Sequence, residues 1–136
     1  MKIAADTNVV VRYLVCDDAA QAEAAGRAIE QAEAVVLSTV VLCEVVWVLR
    51  RAYRYGTGEV AEVLRCLIES RGVEVDRPLA EAGLAALAAG GDFADGVILA
   101  EAGRARCDRL VTFDRGFPAT TGGIAPALRT AALALS

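Results

Sequence analysis

The sequence predicts an α/β fold: a mainly parallel sheet of four or five strands, covered on both faces by helices. Three observations predict it. Short apolar, β-branched runs alternate with longer stretches of helical periodicity. Capping residues or glycines stand at nearly every junction between them. Finally, 136 residues suffice for one compact domain and leave little room for two.

The elements follow in order. Lys2 to Ala5 is a first strand, and Asp6 or Thr7 can cap a helix running through Leu14. Cys16-Asp17-Asp18 breaks the pattern, and Asp18 caps a second helix to about Ala34. Val35 to Leu37 is a buried strand. Ser38 or Thr39 then caps a long helix to about Tyr55, with Gly56 ending it. Thr57 caps the next helix, which stops near Arg71-Gly72, and Val73 to Val75 is the third strand. Pro78 suits the first turn of a helix that ends at Gly90-Gly91. Asp92 caps a further helix from Phe93 to about Arg106, and Leu110 to Phe113 is the fourth strand. Beyond Gly116 the pattern weakens. Gly122-Gly123 is a turn, followed by a short fifth strand or a terminal helix. No repeat, linker or low-complexity segment interrupts residues 1–136, so a single domain is expected.

Composition narrows the chemistry. The chain is 56% hydrophobic, enough for a core, yet no apolar run is long enough to span a bilayer. The N-terminus meets Asp6 too early for a signal peptide, so a cytoplasmic location is expected, with no membrane association. The four cysteines, Cys16, Cys43, Cys66 and Cys107, form no C-x-x-C pair and are expected to be small buried hydrophobes. Histidine is absent, which excludes Ser-His-Asp, Cys-His and paired-histidine mechanisms. Lys2 is the only lysine, so there is no Walker A loop and no late receiver-type lysine. A net charge of −4 argues against a general nucleic-acid binder. It is compatible with an acidic site offset by cations, or with a basic partner protein.

Carboxylates, hydroxyls and arginines remain as candidates. Asp6 and Asp114 each follow a predicted strand, and parallel sheets place their functional crevice at the carboxyl ends of the strands. Taken alone, Asp6 is equally well a helix cap and Asp114 a turn residue before Arg115-Gly116. Asn8 adds a polar group in the first helical turn, and the Thr112 hydroxyl could accompany the acids. Glu44 lies in Val40 to Leu49, a segment apolar on nearly every side, where a carboxylate is expected to be central and costly unless paired or metal-bound. The bland alternative is an ion pair with Arg50 or Arg51. Asp92 and Asp95, three apart, can share one face at a helix start; Asp92 is expected to be the cap and Asp95 to point back to the strand edge. Several converging acids repel one another unless divalent cations neutralise them, and an oxygen-only donor set suits Mg²⁺ or Mn²⁺.

The order of these motifs carries a resemblance. Asp6-Thr7-Asn8 after a first strand, an isolated helical Glu44, Asp92-Phe93-Ala94-Asp95, then Thr112-Phe113-Asp114 resembles the PIN-domain ribonucleases, and among them the VapC-type toxins of type II toxin–antitoxin pairs. The likeness runs from Lys2 to about Phe117. It implies a three-layer α/β/α sandwich, dependence on Mg²⁺ or Mn²⁺, and endonucleolytic cleavage of RNA. It implies that Asp6, Glu44, Asp95 and Asp114 form the catalytic, metal-holding site, with Asp6 and Asp95 foremost as direct ligands and Asn8 and Thr112 in support. It also implies a homodimer and a cognate antitoxin protein that inhibits the site. Gly96 stands where relatives often carry alanine; it is expected to weaken its helix slightly and spare the acids. Arg12, Arg50, Arg51, Arg54 and Arg115 are candidate phosphate contacts. The alternative is a non-catalytic PIN-like module that only binds RNA or an antitoxin. A haloacid-dehalogenase-type phosphatase fits less well, because Asn8 replaces the second acid of its Asp-x-Asp motif.

Overall fold

A computed structural model describes residues 1–117 and 129–132, the last four as backbone. The chain divides into two compact units, Met1–Asp76 and Arg77–Ser136. The expected turn at Gly122-Gly123 lies outside the described residues.

The first unit begins with β1 (Lys2–Ala4), α1 (Thr7–Val15), α2 (Ala19–Gln31) and β2 (Ala34–Val36), and continues with α3 (Thr39–Arg51), α4 (Thr57–Glu69) and β3 (Val73–Glu74). Its strands pair in the order β1-β2-β3, all parallel, with Lys2 opposite Ala34 and Val35 opposite Val73. Apolar side chains of every helix but α2 fill the core: Val10, Leu42, Val45, Leu49 and Val60 are fully shielded from solvent. From α2 only Ala25 is buried, in keeping with its alanine-rich, polar sequence.

Asp6, Asp18 and Ser38 start α1, α2 and α3, each accepting a hydrogen bond from a backbone N–H three residues on. Two boundaries differ from expectation. α2 stops at Gln31, because Ala34 is taken into the ladder opposite Lys2. α3 stops at Arg51, and Arg54 reverses the chain from the left-handed region (φ 58°). Gly56 therefore does not end α3. It starts α4 from an extended conformation and donates its N–H to Glu59 Oε1 (3.0 Å).

A polar cluster holds the first three helices together. Arg12 on α1 donates to Gln21 Oε1 (2.6 Å), Asp17 Oδ1 (2.8 Å) and Tyr53 Oη (3.2 Å). Tyr53 in turn donates to Asp17 Oδ2 (2.7 Å). The Tyr53 hydroxyl, then the Arg12 guanidinium, hold the Asp17 carboxyl below its ordinary value. Arg12 thus serves the fold, whatever else it contacts.

The second unit contains α5 (Arg77–Ala88), α6 (Phe93–Arg104), β4 (Arg109–Thr112) and β5 (Arg129–Ala132). β4 and β5 pair in parallel, Arg109 opposite Arg129. Of the two endings expected after Gly116, a short strand is present among the described residues. The two helices pack at very close range. Phe93, 1% exposed, lies over Gly83, where a Cβ would come within 2.6 Å of its ring. Gly96 faces the Ala82 carbonyl and the Ala86 methyl group, and a Cβ there would collide with both. Alanine at 96 is therefore not the mild change expected from helix propensity. The position lacks a side chain because there is no space for one.

The α/β class and the parallel pairing are as expected. The cysteines are not. None is disulfide-bonded, but Cys16, Cys66 and Cys107 are exposed and Cys43 is half-buried. Among the described residues no helix is long and apolar enough to cross a membrane.

Candidate active site

Each unit carries part of the predicted acidic set. In the first, Asp6 stands two residues beyond β1 in extended conformation (φ −86°, ψ 175°). Its Oδ1 accepts from Val9 N–H (3.1 Å), so the cap that the sequence allowed is made. One oxygen is thereby fixed, and the exposed carboxylate keeps its other oxygen for a ligand. Asn8, also exposed, is in the first turn of α1. Both residues line a cavity of about 380 Å³ between α1 and α2, whose remaining wall includes Arg12, Gln21 and Ala25. At the ends of β2 and β3 a smaller cavity, about 270 Å³, is lined by Ser38, Thr39 and Asp76. The carboxyl edge of this sheet thus has polar side chains after all three strands. Asp76 escaped the sequence reading; its position just after the third predicted strand was the available signal.

Glu44 departs most from expectation. It is exposed, and among the described residues it has neither an ion-pair nor a hydrogen-bond partner. The desolvation argument for it fails, because α3 buries only the face carrying Leu42, Val45, Val46 and Leu49. The opposite face leaves Val40 at 67% and Trp47 at 61% exposure. The suggested pairing with Arg50 or Arg51 is absent too; Arg51 instead lies over the Trp47 ring, 5.8 Å from its centroid.

In the second unit the Gly83–Phe93 and Gly96–Ala82 contacts anchor the first turn of α6, and Asp95 lies between their two α6 residues. Asp95 is half-buried, and its carboxyl is pushed up from the ordinary value, first by burial, then by the charges of Asp92 and Asp114. Asp92 occupies the N-cap position, yet its side chain makes no cap bond. It acts on Asp95 as a charge instead of satisfying the helix end. The sequence had set Asp92 aside as a cap; its spacing of three from Asp95 was the signal for a shared face.

Asp114 is held by a turn of its own. Its N–H donates to Thr112 Oγ1 (3.0 Å), and its Oδ1 accepts from Gly116 N–H (2.9 Å). Thr112 is half-buried on β4, alternating with exposed Val111, so its hydroxyl fixes the backbone that carries the acid. Three carboxylates of one unit therefore share an electrostatic environment. They do not crowd together: within neither unit do three acidic or thiol groups, among the described residues, gather closely enough to hold an ion.

The order of motifs and this placement meet in one comparison: the PIN domain family matches residues 3–123. The chain belongs to the PIN domain family. No curated protein matches the chain in sequence. PIN domains are nuclease-type domains that generally use divalent metal ions. Within neither unit do the described acids form a gathered cluster, but the chemistry of the donors suits such an ion on two counts. The donors are all oxygens, which suit hard divalent cations, and Asp95 carries a repulsion from Asp92 and Asp114 that a cation relieves.

Proposed function

We propose that this PIN domain is a Mg²⁺- or Mn²⁺-dependent endoribonuclease and the toxin of a toxin–antitoxin pair. The observation that carries the reading is Asp95: a half-buried acid on an anchored helix start, raised first by burial and then by its acidic neighbours Asp92 and Asp114. Such perturbed carboxyls mark functional sites. The family match supports the hydrolytic class.

On this reading Asp6, Glu44, Asp95 and Asp114 hold the cation. Once bound, a divalent cation activates water and stabilises the leaving oxygen of a phosphodiester. The chain's own residues do the positioning. Val9 N–H and Gly116 N–H each fix one oxygen of Asp6 and Asp114. Thr112 fixes the Asp114 backbone, and Asn8 presents an amide beside Asp6. The partners in this reading are RNA as substrate, a second copy of the chain in a homodimer, and a cognate antitoxin protein suited to the acidic surface.

RNA incubated with the purified chain and Mn²⁺ should be cut at internal positions, and EDTA should abolish cutting. Asp6→Asn and Asp95→Asn should each lower the rate on the order of a hundredfold or more, as expected for groups acting mainly on the transition state. Cleavage that survives chelation, or survives both substitutions, overturns the reading. The exposure of Glu44 and the spread of the acids favour one second reading, a non-catalytic module that binds RNA or an antitoxin. Tight RNA binding with no cleavage at any Mn²⁺ concentration would select it.

A further inference from the structure

The face of α3 opposite its buried side bears Val40, Glu44, Trp47 and Arg51, residues that follow one another at helical spacing. Trp47 is the only tryptophan of the chain, and 61% of it is exposed. Only the smaller part of this large aromatic side chain is buried against the fold. The Arg51 guanidinium lies over the ring, 5.8 Å from its centroid, and most of the side chain stays exposed. Arg50 and Arg54 lie within one turn of chain. Among the described residues none of Arg50, Arg51 and Arg54 makes an ion pair. In a chain of net charge −4 this is a run of arginines close in sequence to Trp47, one of them lying over its ring.

We propose that Trp47 is a stacking platform for one base of a single-stranded RNA, with Arg50 and Arg51 taking the flanking phosphates. An aromatic plane bordered by arginines is the surface that single-stranded nucleic acid selects, because every base has a π face and every linkage a charge. The proposal rests on the nuclease reading above, since Glu44 stands one turn from Trp47 on the same face and the base would lie beside that acid. A second copy of the chain is the rival occupant of this apolar strip. Seated on Trp47, it would cover Glu44 and close the face to substrate.

The ring reports its own occupancy. The chain is titrated in EDTA with an eight-nucleotide single-stranded RNA, following Trp47 emission and, in parallel, the anisotropy of the labelled RNA. Binding should quench Trp47 saturably, and an abasic oligomer of equal length should quench far less. Trp47→Ala should weaken binding roughly five- to a hundredfold, while Trp47→Phe, which keeps an aromatic face, should retain most of it. Arg50→Gln and Arg51→Gln should each flatten the salt dependence by about one ion. RNA that binds without quenching, or does not bind at all, overturns the proposal. So does a Trp47 emission that shifts with protein concentration alone, because a second copy then occupies the face. Cleavage in Mn²⁺ is scored separately: quenching without cleavage defeats the nuclease reading and leaves the stack, and cleavage without quenching does the reverse.

Discussion

At the residue scale Asp95 sets the terms. Its carboxyl is raised in the folded chain, so the protonated form fits the fold better than the ionised one. The unfolded chain then binds fewer protons between the ordinary carboxylate value and the raised one, and stability falls as pH rises through that window. Asp95→Asn removes the charge and keeps the shape. It should raise Tm at pH 7 by about 1–3 °C, with the difference shrinking to nothing below the ordinary carboxylate range, as measured by calorimetric scans at stepped pH. A Tm lowered at neutral pH would show that the acid stabilises its surroundings. The other acids divide according to how local their signal was. The positions of Asp6 and Asp114 beyond strand ends were legible because an acid just after a strand is a local pattern, and their hydrogen bonds, to Val9 and Gly116, are local as well. Glu44 was misjudged because an apolar segment says nothing about which of its faces a neighbour covers. Asp92 stands at the cap position expected of it, but a residue there need not make the cap bond.

At the scale of elements, α5 and α6 touch through two glycines, and the contact decides where the first turn of α6 lies. Gly96→Ala drives a methyl group into the Ala82 carbonyl and Ala86. A cost of about 1–3 kcal/mol is expected from such overpacking, well beyond any gain in helix propensity. Urea denaturation should show it, and Asp95, the adjacent residue, should lose activity together with stability. The sequence offered Gly96 only as a weak helix former, because propensity is a property of one residue and this contact belongs to two helices. The same limit explains α3. Its start at Ser38 was legible from the cap, but its end was assigned to Gly56, when Arg54 turns the chain from a conformation more usual for glycine or asparagine. Signals read one residue at a time locate beginnings better than ends.

At the scale of the molecule, the family match spans residues 3–123 and so includes acids from both units. Divalent cation that binds the folded chain alone must stabilise it by mass action. Millimolar Mn²⁺ at ten times its dissociation constant would add about 1.4 kcal/mol, and Tm should climb with concentration. The rise should be much smaller in Asp95→Asn. A Tm indifferent to Mn²⁺ would count against the acids as ligands. Alternating strands and helices were legible along most of the chain, since periodicity accumulates over many residues. The two-unit division was not, because no linker marks residue 76.

The glycine contact also predicts how the protein responds to genetic selection. At position 83 the nearest atoms that an added methyl group meets are those of the Phe93 ring, a side chain that a second mutation can shorten; Gly83→Ala should therefore yield intragenic suppressors at Phe93. At position 96 it meets the Ala82 carbonyl, which belongs to the backbone and is present whatever residue occupies 82. No side-chain replacement can remove that atom. Revertants of Gly96→Ala should then be confined to true reversion, and the two glycines, alike in sequence, would differ in how far evolution can stray from them.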